Sequence, residues 1–209
     1  MILQGADGFF SSGLDLRLAA NMLDTCGGEY VSTLMHDNLR RLERLPMVSI
    51  ALVEGKAVGG GAEVAVGCDL RVFNPSARIG FVQARLALTS GFGGGMRLAR
   101  MIGQPKALQL MLSAKTIDVP KAQSLGLVQY CLPEGTTNGP QALQRTIEWY
   151  RTNFGTITVH ASRQVKSIIA ESAKNQPLDQ ALDFEAKMFH SAWGSKEHKA
   201  ALDSNIKHK

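Results

Sequence analysis

The spacing of apolar and polar positions shows two alternating signatures as far as about residue 135 and a single one after it. Short apolar, β-branched runs open at Ile2 and recur at Met47–Val53, Cys68–Asn74 and Leu127–Leu132, which predicts strands buried on both faces. Between these runs the period is helical. Val31, Met35, Leu39 and Leu42 lie near one face of a helix that stops before Pro46, because the residue preceding a proline is pushed out of the α region. Ala62–Val66 predicts a short packed helix, Pro105 opens one running through Leu112, and Asp118 caps one that ends near Gly126. From about Gly139 only helical patterns remain, marked by Trp149 and Tyr150, by Val165, Ile168 and Ile169, and by Leu178 to Trp193. Alternating strands and helices followed by helices alone predict an α/β core over 1–135 and a helical C-terminal region over 136–209.

Candidate chemistry sits where this pattern is broken by glycine. Ile50 to Asp69 reads I-A-L-V-E-G-K-A-V-G-G-G-A-E-V-A-V-G-C-D, so that Gly59, Gly60 and Gly61 join an apolar strand to a helix carrying Glu63. Glycine lets the main chain approach a ligand closely, and the first N–H groups of a helix lack partners and stand at the positive end of its dipole. The anion suited to such a place is a phosphate or the oxygen of a developing enolate. A second such turn, S-S-G-L-D-L, follows the strand at Ile2 and supplies a further candidate donor. Taken singly, each cluster also reads as a tight loop. The nucleotide-binding motifs fail: Ile50 stands where a P-loop needs glycine and Ala57 where it needs Ser or Thr, while Met96 stands where Gly91, Gly93, Gly94 and Gly95 would need a last dinucleotide-fingerprint glycine.

In order and spacing, F-S-S-G-L-D-L, G-G-G-A-E-V-A, C-D-L-R-V and G-F-G-G-G-M-R-L resemble the crotonase (enoyl-CoA hydratase/isomerase) superfamily over nearly the whole chain. R-L-P-M-V-S-I-A-L-V-E-G, R-I-G-F-V-Q and A-W-G-S ahead of Ala200, Ala201 and Leu202 make the chain most similar to its ethylmalonyl-CoA-decarboxylating branch. The resemblance implies a spiral ββα core, a helical oligomerisation region, and assembly as a homo-oligomer, a trimer or a dimer of trimers. It implies an acyl-CoA substrate with coenzyme A as part of it, and hence no separate cofactor. It places two oxyanion-hole N–H groups on Leu14 and Gly60, flanked by Ser12, Gly13, Gly59 and Gly61. Glu63 matches one of the two glutamates of a hydratase, whereas the other falls on Gln83, a position that looks like a histidine in the decarboxylating branch. Hydration needs groups that exchange protons, and an amide does not do so at neutral pH. Decarboxylation of a short branched malonyl-type thioester, such as ethylmalonyl-CoA or methylmalonyl-CoA, generates its own enolate and asks for two donors and one delivered proton. The proton donor is left between Glu63 and Gln83, and Glu63 also reads as a structural carboxylate paired by an arginine or an amide. An enoyl-CoA isomerase or hydratase-like enzyme, and an inactive acyl-CoA-binding or subunit-assembly protein, are the alternatives. Relatives carry further strands upstream of F-S-S-G, so the resemblance also implies that the amino-terminal part of the core is missing.

Composition narrows the remaining classes. At 209 residues and 44% hydrophobic content the chain can bury one sizeable core. A net charge of +5, from 23 basic and 18 acidic residues, suits a phosphate-bearing ligand. No basic stripe interleaved with aromatics and no zinc-type spacing speaks for nucleic acid or a metal, and no apolar run reaches membrane-spanning length. Cys26, Cys68 and Cys131 are odd in number and widely spaced, which reads as buried thiols in a reducing compartment, the cytosol. The five histidines, His36, His160, His190, His198 and His208, read mostly as solvated, and Lys207 and Lys209 as basic residues able to meet a coenzyme phosphate.

Overall fold

A computed structural model describes residues 1–21, 25–174 and 176–204; His208, Lys207 and Lys209 lie outside the described residues. The chain forms two compact units, Met1–Glu43 with Ser49–Trp149, and Arg44–Val48 with Tyr150–Lys209.

The first unit carries β1 (Ile2–Gln4), α1 (Leu16–Ala20), α2 (Thr25–Arg44), β2 (Ile50–Val53), β3 (Lys56–Val58), α3 (Gly60–Gly67), β4 (Leu70–Phe73) and β5 (Arg78–Gly80). After a 3-10 turn at Gln83–Leu86 come α4 (Gly94–Ile102), α5 (Gln104–Ser113), α6 (Val119–Ser124), β6 (Tyr130–Cys131) and the start of α7 (Pro140–Phe154). Four strands pair in parallel in the order β1-β2-β4-β6, with Ile2 opposite Ile50, Ile50 opposite Leu70 and Val72 opposite Tyr130. A smaller parallel pair, β3 with β5, sets Ala57 opposite Ile79. All four residues of β2 are buried, as a parallel strand covered on both faces requires. Ala51, Val53, Ala62, Val66, Phe73, Ile79, Phe81 and Leu98 build one core from both sheets and from α3 and α4.

The strands are shorter than their apolar runs because buried side chains take over the ends of the ladders. Arg71, 3% exposed, gives its Nε to Leu127 O at 2.6 Å and one Nη to Cys68 O at 2.8 Å, so the run from Leu127 is held by a guanidinium before β6 begins. Burial lowers the Arg71 pKa to about 10, against the raising effect of Cys68 and Asp69. Before β2, the Asp69 carboxylate accepts both the backbone N–H and the hydroxyl of Ser49, at 2.7 and 2.8 Å. Glu54 lies fully buried just past β2. It accepts from Gln4 Nε2 at 2.7 Å and from Gly139 N at 2.6 Å, tying β1 to the start of α7. Asp118 caps α6 as its sequence position predicts, accepting from Lys121 N. Of the three cysteines only Cys68 is buried; Cys131 is half-buried, with its thiol pKa pushed up by burial, and Cys26 is exposed, so the expectation of three buried thiols fails there.

The second unit is helical, with α8 (Val159–Ser172), α9 (Leu178–Ala192) and α10 (Lys196–Asp203) following the end of α7. Gln164 on α8 reaches Met188 O and Ser191 Oγ on α9, and Lys166 Nζ donates to Met47 O at 2.7 Å. A cavity of about 350 Å³ opens here, lined in part by Ile157, His160, Phe189, Trp193 and His198. His198 accepts from Gly194 N at 2.9 Å and lies against Trp193, so His160 and His198 are half-buried lining residues and not solvated ones. Among the described residues no helix is long and apolar enough to cross a membrane, and no cluster of three or more His, Cys, Asp or Glu is arranged to hold a metal ion.

Candidate functional site

The segment 11–14 is laid along β3 by backbone bonds, Ser11 N to Lys56 O at 3.1 Å and Val58 N to Ser11 O at 3.0 Å. Ser11 Oγ then accepts the N–H of Gly13 at 3.1 Å, which closes the turn and leaves the next N–H, that of Leu14, pointing onward. Gly13 has φ +87°, and a Cβ there would lie 2.6 Å from Gly60 N, so only glycine allows the two turns to meet. The contact continues on either side: a Cβ on Gly61 would lie 2.8 Å from Ser11 Cβ, and one on Gly59 would lie 3.6 Å from Ser12 O. Gly59, with φ +57°, is the N-cap of α3, and its own N–H is given to Gly80 O at 2.9 Å. Gly60, Ser12, Gly13, Gly59 and Gly61 are thus brought together, and Leu14 follows Gly13 directly in the chain. Neither the Leu14 N–H nor the Gly60 N–H finds an acceptor among the described residues.

Glu63 stands in the first turn of α3 and is 1% exposed. Its carboxylate turns away from its own helix start toward that of α4. Oε1 accepts from Phe92 N at 3.1 Å, Gly94 N at 2.9 Å and the Ser90 hydroxyl, and Oε2 accepts from Gln83 Nε2 at 3.0 Å. Ser90 Oγ in turn accepts from Gly95 N at 2.8 Å. The anion that this glycine-opened helix attracts is therefore supplied by the chain itself. A Cβ on Gly94 would lie 2.6 Å from Glu63 Cβ, which leaves glycine alone able to pass there. Of the two partners expected for a structural carboxylate, the amide is present as Gln83. Among the described residues no basic side chain pairs with Glu63.

Gln83 opens the 3-10 turn and is half-buried. Its amide orientation follows from the network, since only its NH₂ can face a carboxylate that accepts everywhere else. Its carbonyl, Oε1, is buried without a donor. That Ser90 and the N–H groups of Phe92 and Gly94 are partners of Glu63 escaped the sequence reading, although a glycine triplet starting a helix was a visible signal for an anion; what could not be seen is that the anion is Glu63. His36 is half-buried and packs beside the same turn, its ring atoms 3.4 Å from where a Cβ on Gly93 would be, so it is not the solvated histidine expected.

Comparison with known proteins places the chain in a family. The family model for enoyl-CoA hydratase/isomerase matches residues 1–207. The chain is 36% identical to an ethylmalonyl-CoA decarboxylase of Danio rerio and 37% identical to one of Xenopus tropicalis, matching over all of this chain and 68% of either relative. Among solved structures it is similar to an enoyl-CoA hydratase from Geobacillus kaustophilus, with a TM-score of 0.87 and 30% identity over 97% of this chain and 75% of that one. One from Bacillus anthracis gives 0.86 and 27%, over 97% and 76%.

Proposed function

This chain belongs to the enoyl-CoA hydratase/isomerase family, and we propose that within it the protein decarboxylates short branched malonyl-type CoA thioesters, ethylmalonyl-CoA and methylmalonyl-CoA. The observation that carries this reading is the pairing of two unanswered N–H groups, Leu14 and Gly60, with a site that holds a single carboxylate, Glu63, beside a neutral amide, Gln83. The thioester oxygen sits on the two N–H groups. The bond from the α-carbon to the free carboxylate breaks, its electron pair forms the enolate, and carbon dioxide departs. Donors preorganised on the enolate oxygen supply the main stabilisation, roughly 3 to 4 kcal/mol each. A proton then reaches the α-carbon. Four donors already occupy the Glu63 carboxylate, so we assign Glu63 the task of holding Gln83 and the Phe92–Gly94 turn, and we assign the proton to a water that enters beside Gln83 as carbon dioxide leaves, its hydroxide combining with the carbon dioxide as bicarbonate. Coenzyme A enters as part of the substrate, with no separate cofactor.

A pair of glutamates, as a hydratase uses, would confront the substrate's own carboxylate with two like charges, whereas an amide removes one of them. A second reading, an enoyl-CoA isomerase or hydratase-like activity, is favoured by the names of the structural neighbours and by the carboxylate at Glu63. Incubation with ethylmalonyl-CoA, methylmalonyl-CoA and crotonyl-CoA separately, with products followed by mass, distinguishes them. Loss of 44 mass units from the first two supports decarboxylation; gain of 18 by crotonyl-CoA alone replaces it with hydration.

A further inference from the structure

We propose that the ring of Phe92 sets the size of the alkyl branch accepted on the carbon next to the thioester carbonyl. This rests on the reading of Leu14 and Gly60 as the donors to that carbonyl. In a helix each Cα–Cβ bond tilts toward the N-terminus, the same end to which the first N–H groups point. A Cβ on Gly60 would fall onto the Phe92 ring, with Cδ2 and Cζ each at 3.0 Å, so the ring lies over the amino end of α3 beside the free Gly60 N–H. An oxygen accepting from that N–H sits about 2.9 Å from the nitrogen. The carbonyl carbon is about 1.2 Å beyond the oxygen and the α-carbon about 1.5 Å further. A branch on that carbon therefore starts within about 6 Å of the Gly60 nitrogen, at the end of α3 that the ring covers.

The ring is also held. Phe92 is 9% exposed, its N–H is bound by Glu63 Oε1 at 3.1 Å, and its carbonyl accepts from Arg97 Nη1 at 3.4 Å. Gly94, two residues on, is anchored to the same Glu63 oxygen at 2.9 Å. A buried ring with its backbone fixed on both sides is a steric stop and not a lid. On the neighbouring side, Val82 Cγ2 stands 4.0 Å from where a Cβ on Gly59 would be, so that flank is apolar as well. Such a wall suits methyl and ethyl branches and turns away longer ones.

The test compares the unsubstituted protein with Phe92→Ala and the milder Phe92→Leu, using methylmalonyl-, ethylmalonyl- and butylmalonyl-CoA. The quantity read is the ratio of kcat/KM for butylmalonyl-CoA to that for methylmalonyl-CoA within each variant, which is independent of the folded fraction. We expect it to rise at least tenfold in Phe92→Ala, in the range that a methylene or more is worth in an apolar pocket, and less in Phe92→Leu. A ratio unchanged within twofold in the folded variants overturns the assignment. If the unsubstituted protein decarboxylates none of the three, the functional reading fails, and the Phe92 assignment is read instead from the dissociation constants of butyryl-CoA, 2-methylbutyryl-CoA and 2-propylpentanoyl-CoA. A tenfold relative gain for the bulkiest thioester in Phe92→Ala supports it there, and no relative gain overturns it.

Discussion

The turns at Gly59–Gly61 and Gly93–Gly95 look alike in sequence, and each places a glycine of positive φ at the cap of a helix, +57° at Gly59 and +81° at Gly93. They differ in what answers their N–H groups. At α4 the Glu63 carboxylate takes Phe92 and Gly94, and Ser90 takes Gly95. At α3 the Gly60 N–H is left without an acceptor among the described residues. Glu63 belongs to the first turn of α3 yet serves its neighbour, and the two helices pack directly on each other. One glycine-started helix is thus completed from within, and its completion positions the wall and the amide beside the one kept open. The same electrostatic demand is a structural joint in one case and a candidate ligand site in the other.

The sharpest way to break this contrast is at Gly60. Both Ala and Pro there must displace the Phe92 ring, but only Pro removes the N–H, and proline is otherwise tolerated at the first position of a helix. Turnover of ethylmalonyl-CoA per folded molecule is expected to fall about 10²- to 10³-fold more in Gly60→Pro than in Gly60→Ala. Equal losses would mean that the open turn donates to nothing.

Gln83→Glu attacks the charge balance between the two turns. It sets a second carboxylate about where an amide now donates at 3.0 Å to Glu63 Oε2, so a hydrogen bond is exchanged for two carboxyl groups face to face, the pair that hydration calls for. Hydration of crotonyl-CoA should rise by tenfold or more while decarboxylation declines. No rise in hydration would leave the amide irrelevant to the choice of reaction.

Glu63→Gln probes the filled turn. A carboxamide brings an NH₂ among four donors, and an unmatched buried donor costs roughly 1 to 3 kcal/mol, which a urea midpoint measures. Turnover per folded molecule should change by less than tenfold. A fall of 10² or more, the range of a general acid or base, would transfer the proton delivery to Glu63.

The smallest contrast compares two glycines of the second cluster. Gly94→Ala collides with Glu63 Cβ, whereas a Cβ on Gly91 would have nothing within 4 Å. Thermal or urea denaturation should show a loss of about 1 to 3 kcal/mol for the first and under about 0.5 for the second.

Those parts of the molecule governed by near neighbours in sequence were legible beforehand. The Pro46 stop, the Asp118 cap and the helix at Pro105 depend on local rules and fall where expected, and the buried strand expected over Met47–Val53 forms as Ile50–Val53. Strand ends were overestimated because Arg71 and Asp69 intercept backbone groups from afar, an event no periodicity records. In the site, the adjoining turns around Leu14 and Gly60 were marked by their glycines. The partners of Glu63 were not, since Ser90, Phe92 and Gly94 reach it only once α4 has packed on α3. His36, His160 and His198 misled for a related reason: a polar residue on a helix says nothing about which neighbour later covers it.

The parallel order β1-β2-β4-β6 has a kinetic consequence. Its shortest closure joins Ile50 to Leu70 around α3, whereas β1 must find β2 across the whole of α2, and β4 must wait for β6 beyond α4, α5 and α6. Loop-closure entropy is lost before such distant pairings return any stability, so chains of this topology fold slowly. The β2-α3-β4 unit is the expected nucleus, and β1 is synthesised well before its partner exists. Its apolar face and unpaired edge are then open to other nascent chains, which makes yield on refolding fall with protein concentration.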